Sequence, residues 1–190
     1  MILIDLPILI KQCAPLVAIS TMTAIVKTES KINPWAIGLN GHLKLKYQPN
    51  NLHQAALWVD YLESHHYNFD VGLTQVNIQN IHYYGYKARD LLDPCINLKV
   101  ASKILQKNYY RALPKSNSSQ EALRKAISSY NTGNFSRGFS NGYVTKVIAN
   151  VSTTNSKTLL ATKLQLVKPS KSVIFSDPII KYGEVYYVPK

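Results

Sequence analysis

Acidic residues are scarce in this chain. Ten Asp and Glu stand against 22 Lys and Arg in 190 residues, a net charge of +12. That excess points to an anionic partner: nucleic acid, a membrane surface or an acidic cell-wall polymer. No basic block accompanies it. The 16 basic and 8 acidic residues up to Asn150 are dispersed, which speaks against a stripe that tracks phosphates, and no nucleic-acid partner is expected. Cysteine is scarcer still, with only Cys13 and Cys95. Neither belongs to a Cys-x-x-Cys pair, so the spacing speaks against a zinc site, and no metal or cofactor is expected. The two thiols are either buried separately or joined in one disulfide, and spacing alone leaves both open. Long apolar runs are also missing. The opening Met-Ile-Leu-Ile-Asp-Leu-Pro-Ile-Leu-Ile-Lys is apolar but too short to span a bilayer. It lacks a basic start and carries Asp5 and Pro7, so it makes a poor signal peptide and reads as a first helix. No internal repeat is evident.

What is present suits a folded domain. Hydrophobic residues make up 46% and charged residues 17%, enough for a sizeable core and too apolar for wholesale disorder. Helices are expected over Leu3 to Cys13, from a Ser20 cap to Glu29, and over Leu52 to His65. Asn40-Gly41 followed by His42 to Tyr47 reads as a small β-hairpin arm. Val71 to Asn77 leads into a short helix over Ile78 to Tyr83. Asp93-Pro94 opens a helix to about Leu113. Ser118-Ser119-Gln120-Glu121 reads as a capping box before the helix that ends at Asn131 to Asn134. A last helix is expected over Gly142 to Val151. From Ser152 the chain turns polar and then β-prone, with too little mass for a second core. The expected organisation is a mainly α domain over 1–151, with a linker and flexible tail over 152–190.

Glu29 is the acid that needs an explanation. Met22, Ile25, Val26 and Glu29 share one helical face at i, i+3, i+4 and i+7, so the carboxylate points with the core side chains. Desolvating a carboxylate costs several kcal/mol, and burial lifts its pKa towards neutrality, where proton chemistry is done. The other acids have plainer uses. Asp93 and Glu121 cap helices, Asp60 and Glu63 face water, Asp90 lies in a turn, and Asp5, Asp177 and Glu184 are near the ends. Asp70 is the one remaining candidate for a second carboxylate across a scissile bond, and it reads first as a loop cap before Val71.

Three segments are placed to form a cleft. Glu29-Ser30 is the first. Gly72-Leu73-Thr74-Gln75-Val76-Asn77 is the second, with a glycine for close approach and two side-chain amides. The third is Ser128-Ser129-Tyr130-Asn131-Thr132-Gly133-Asn134, where a helix ends in hydroxyl, amide and glycine. Amides match N-acetyl groups, and aromatic faces match pyranose rings; the chain has 13 tyrosines.

The ordered set Glu-Ser-x-x-Asn-Pro-x-Ala-Ile-Gly, Gly-Leu-x-Gln-Val-Asn and Ser-Tyr-Asn-x-Gly resembles the lytic transglycosylases of goose-type-lysozyme-like fold, from about Ile10 to Val151. Cys-Ala-Pro, Ala-Ile-Val-x-x-Glu-Ser, Asp-Pro-Cys-x-Asn-Leu and Gly-Asn-Phe-x-x-Gly-Phe resemble the subgroup that serves bacterial type IV secretion systems. The resemblance implies cleavage of the bond between N-acetylmuramic acid and N-acetylglucosamine in peptidoglycan. Glu29 would act first as acid and then as base, the substrate's N-acetyl group would stabilise the anomeric centre, and a 1,6-anhydro product would form without water. It also implies that Gln75 and Asn77 bind sugar amide and hydroxyl groups, that Tyr130 supports the oxazolinium-like state, and that Ser30 and Asn131 lie in or next to the binding site. Thr74 departs from the Met common in the family, and Ser129 from Ala. Peptidoglycan lies in the oxidising periplasm, so the resemblance favours a Cys13–Cys95 bridge and a periplasmic location. Other secretion components become possible partners of the tail through strand addition. The competing readings are a lysozyme-like hydrolase and a non-catalytic peptidoglycan-binding assembly factor.

Overall fold

Helix α2 (Ile19–Ser30) buries five consecutive residues, Met22 to Val26, so its middle is covered on every side. In the computed structural model, which describes residues 5–151 and the backbone of 152 and 185–187, it runs through the centre of the domain. Met22 and Val26 enter one core cluster, and Ala24 and Ile25 enter a second. The first cluster joins α1 (Leu6–Cys13), α3 (Leu52–Ser64), a small sheet and α5 (Pro94–Ala112). The second joins α2 and α5 to α6 (Ser119–Thr132) and α8 (Tyr143–Ser152). Short helices α4 (Ile78–Tyr83) and α7 (Arg137–Ser140) complete the set. Among the described residues, no helix is long and apolar enough to cross a membrane.

Local chemistry sets the helix starts. The Asp5, Asn51, Asn77, Asp93 and Ser118 side chains each accept a backbone N–H of the helix they precede. The Asp93 carboxylate takes two, from Cys95 and Ile96 at 2.8 and 2.9 Å. At α6 the box is shifted by one residue. Ser118 Oγ accepts from Glu121 N, while Glu121 Oε2 accepts from Asn117 N. Helix α2 differs from expectation. Ser20 is not its cap; the helix begins at Ile19, and Ala18 holds the cap position without a side-chain bond. The Ala18 carbonyl accepts from Met22 N at 3.0 Å, so backbone alone closes the first turn.

The sheet order is β1-β3-β4, all antiparallel, from Ile37–Leu39, Phe69–Val71 and Val76–Asn77. The hairpin is therefore made by β3 and β4 around Gly72 to Gln75. The segment after Asn40-Gly41 does become a strand, β2 (Leu43–Leu45), but not the second arm of a hairpin with β1. The Gln48 side-chain amide occupies that place. Its Nε2 donates to the Ile37 carbonyl at 2.8 Å, and its Oε1 accepts from Ile37 N at 3.0 Å. Strand β2 pairs instead with β5 (Val185–Tyr187), Leu43 opposite Tyr187 and Leu45 opposite Val185. The rest of the expected tail, 153–184 and 188–190, lies outside the described residues, as does its expected flexibility.

A disulfide joins Cys13, at the end of α1, to Cys95, in the first turn of α5, across 82 residues. Closing a loop of that length in the unfolded chain is worth on the order of 4 kcal/mol in the chain-entropy account.

Candidate active site

Glu29 occupies the last turn of α2, where the helix leaves the core and meets a cavity of about 470 Å³. Asp70, Gln75, Asn77, Ser129, Tyr130 and Asn131 line the same cavity. The backbone then turns sharply, with Lys31 and Ile32 both left-handed at φ 54° and 66°. A β-branched residue in that region is strained, so the surrounding fold holds this exit in place.

Burial sets the state of Glu29. Desolvation raises its pKa from 4.5 to about 7. A hydrogen bond donated by the Tyr143 hydroxyl to Glu29 Oε1 favours the ionised form, and the Asp70 carboxylate opposes it. Near neutral pH the group therefore holds and releases a proton with similar ease, as a group that must serve as acid and base requires. Tyr143 and Tyr130 are kept well above the ordinary phenol range, first by burial and then by the nearby Glu29 charge. Both remain neutral hydroxyls.

The turn beneath Glu29 is held from several sides. Ser30 is not part of the cavity lining; its hydroxyl donates to the Leu73 carbonyl at 2.7 Å and ties the end of α2 to the turn. The Tyr130 hydroxyl donates to the Thr74 carbonyl at 2.8 Å. Asn97, fully buried on α5, accepts from Thr74 N and Thr74 Oγ1 and donates to the Val71 and Leu91 carbonyls. Gly72 has φ +80°, and a Cβ there would lie 2.3 Å from Asn97 Nδ2. Glycine is therefore required at 72, for conformation and for space. Thr74, the departure from the family's usual Met, supplies the hydroxyl that bonds Asn97.

The two amides expected to bind sugar are largely engaged within the protein. Gln75 Nε2 donates to the Ala36 and Gly72 carbonyls at 3.0 and 2.9 Å. Its Oε1 lies where a Cβ on Gly38 would sit, at 2.7 Å. Asn77 Nδ2 donates to Asp70 Oδ1 at 2.8 Å and Asn68 Oδ1 at 2.7 Å, while its Oδ1 caps α4 through Gln79 N. Asn131 is exposed on the rim and accepts from Asn141.

Asp70 is not a loop cap. It lies on β3, faces the cavity, and accepts from Asn40 and Asn77. Burial raises its pKa, while those two bonds act the other way. Tyr143 was not singled out by sequence reasoning. The available signal was Tyr143-Val144 and Val147 on one face of the last helix, which reads as ordinary core.

The Transglycosylase SLT domain profile matches residues 7–151. The chain belongs to the transglycosylase SLT-domain family. Within that family it is 41% identical over 180 residues to the Type IV secretion system protein virB1 of Brucella abortus biovar 1 (strain 9-941), covering 92% of this chain and 75% of that protein. It is 39% identical over 137 residues to the Protein virB1 of Agrobacterium fabrum (strain C58 / ATCC 33970), covering 72% of this chain and 55% of that protein. The Protein virB1 of Rhizobium radiobacter is 40% identical over the same length. No solved structure matches the chain. The SLT-domain match takes in Glu29, the Gly72 to Asn77 turn, Tyr130 and Tyr143 together.

Proposed function

We propose that Glu29 of this transglycosylase carries the cleavage of peptidoglycan between N-acetylmuramic acid and N-acetylglucosamine, acting alternately as acid and base. The enzyme is a lytic transglycosylase that opens the cell wall locally for a type IV secretion system. The observation that carries the Glu29 assignment is the placement of its buried carboxyl in the wall of a polar cleft, under the Tyr143 hydroxyl, where desolvation lifts its pKa to about 7. Protonated Glu29 gives its proton to the glycosidic oxygen as the C1–O4 bond breaks. The substrate's acetamido oxygen closes on C1 and shares the positive charge. Ionised Glu29 then takes the proton from the muramyl 6-hydroxyl, whose oxygen bonds to C1 as the acetamido oxygen leaves. The proton ends where it began, and the product is the 1,6-anhydro sugar. Proton transfer of this kind is worth roughly 100- to 10,000-fold.

Tyr143 orients the carboxyl and steadies its ionised form. Tyr130, Ser30 and Asn97 fix the turn carrying Gln75 and Asn77. Their internal bonds make these two amides builders of the cleft wall as much as sugar ligands. Asn131 meets substrate at the rim.

A hydrolytic reading retains one specific observation in its favour, the Asp70 carboxylate in the same cavity. Two carboxylates could activate water. The bonds from Asn40 and Asn77 engage both Asp70 oxygens and favour a fixed electrostatic role instead. Digestion of purified peptidoglycan separates the readings, because a hydrolytic product is one water heavier.

The catalytic unit is residues 1–151, and 152–190 form a tail that rests on the domain through the β5–β2 pair and meets other secretion components. The periplasm is the proposed location, supported by the Cys13–Cys95 disulfide, which requires an oxidising compartment. Release of muropeptides by wild type and by Glu29→Gln tests the assignment; equal release from both removes Glu29 from the mechanism.

A further inference from the structure

Part of the cavity wall is not used by the cleavage chemistry. Asn108 and Ser129 line it, each at least nine-tenths buried at 7% and 5% exposure. Neither side chain makes a hydrogen bond among the described residues. Thr23 Oγ1 is the enclosed side-chain atom without a partner among the described residues, so the polar atoms of Asn108 and Ser129 open onto the cavity instead of being sealed in the core. Gln75 and Asn77, in the same lining, are engaged within the protein. Asn108 and Ser129 are thus polar groups of the cavity lining that remain open to a ligand.

Two exposed cations accompany them. Lys107 and Arg111 flank Asn108 on α5 and line the cavity. They belong to a series, Lys99, Lys103, Lys107 and Arg111, spaced every fourth residue on a helix with no acid of its own. Like charges at that spacing repel. The carboxylate ion pairs among the described residues join His82 to Glu63, Arg89 to Asp60 and Lys125 to Glu121, so they do not relieve it. Both cations are nevertheless held in place. Lys107 Nζ lies 4.3 Å from the Tyr83 ring centroid and donates to its hydroxyl at 3.2 Å, and Arg111 lies 5.5 Å from the Phe135 ring centroid. The cavity lining therefore carries both signs of charge, Glu29 and Asp70 on the one hand and the two held cations on the other.

We propose that Asn108, Ser129, Lys107 and Arg111 form a subsite for the carboxylate-bearing peptide stem that branches from the glycan, so that the enzyme selects peptide-substituted strands. The proposal rests on the peptidoglycan reading above. The Asn108 amide matches a peptide group, donating through Nδ2 and accepting through Oδ1. Ser129 Oγ adds a hydrogen bond, and Lys107 and Arg111 meet the free carboxylates beyond.

The test uses soluble glycan strands in three forms: with native stems, stripped of stems by an amidase, and with the stem carboxylates capped as amides. Wild type is expected to show about tenfold higher kcat/KM on native strands than on either other form, the scale of two partly exposed charge pairs and an amide contact. Lys107→Ala/Arg111→Ala is expected to bring the native-to-capped ratio close to one, and high salt to do the same for wild type. Asn108→Ala should lower the native-to-stripped ratio while leaving the native-to-capped ratio in place. Equal cleavage of all three forms by wild type overturns the subsite but leaves the transglycosylase reading standing. So does a double variant that keeps the wild-type ratios. Cleavage of none of the three overturns both.

Discussion

The Tyr143 hydroxyl donates a hydrogen bond to Glu29 Oε1, linking the last helix of the domain to the central one across 114 residues. Burial first, and then the Glu29 charge, raise the Tyr143 pKa, so the phenol stays a neutral donor. Tyr143 in turn favours the Glu29 carboxylate, while Asp70 disfavours it. Two neighbours thus act on one acid with opposite sign.

Opposite substitutions should move the pH–rate profile in opposite directions. Tyr143→Phe removes a bond to the ionised form, so the Glu29 pKa rises and the profile moves to higher pH. Asp70→Asn removes a like charge, so the pKa falls and the profile moves to lower pH. Profiles of kcat/KM from pH 4 to 9 check both. Shifts of the same sign would show that these contacts do not set the Glu29 pKa.

Glu29 should also limit stability. Its folded pKa lies above its value of 4.5 in the absence of the fold. Between about pH 4.5 and pH 7 the folded chain holds a proton that the unfolded chain has released, so stability falls as pH rises through that window and levels off above it. A rise from 4.5 to about 7 corresponds to about 3 kcal/mol. Glu29→Gln should therefore be more stable than wild type at pH 8, by on the order of 2 kcal/mol, and equal to it at pH 4.5. Urea denaturation at the two pH values checks this. A difference that does not change with pH would contradict it.

Much of this was legible in the sequence because local chemistry governs it. The Asp93-Pro94 and Ser118 helix starts are capping events within a few residues, and the inward Glu29 follows from helical spacing. What was not legible depends on distant partners. Gln48 takes the backbone groups of Ile37, and no local pattern announces that a side chain will replace a strand. Asp70 looked like a loop cap because its neighbours Asn40 and Asn77 approach only through the sheet. Tyr143 gives no local signal, because its ring packs in the core and only its hydroxyl reaches Glu29.

Asn97 should be the costliest polar side chain to remove near the cleft. Asn97→Ala strands Thr74 N and Oγ1 and the Val71 and Leu91 carbonyls, for a loss of about 3 kcal/mol or more. Thr74→Val removes only the hydroxyl bond and should cost about 1 kcal/mol. Denaturation midpoints check the order, and Asn97→Ala should also lower kcat, because the Tyr130 contact depends on the same turn. Equal costs for the two would contradict the account of the turn.

Removal of residues 153–190 should leave glycan cleavage within about twofold of the full chain, since strand β2, which β5 covers, contributes nothing to the cavity lining. Digestion rates of the two forms check the proposed boundary. A loss beyond tenfold would assign the tail to the catalytic unit.

The central claim is that Glu29 alone moves the proton both ways, with the muramyl 6-hydroxyl as the nucleophile. Digestion of purified peptidoglycan in oxygen-18 water, followed by mass spectrometry of the released muropeptides, tests it most directly. The account predicts 1,6-anhydro products without oxygen-18 from wild type, and loss of that release in Glu29→Gln. Reducing-end products carrying oxygen-18 from wild type would show water as the nucleophile and contradict it.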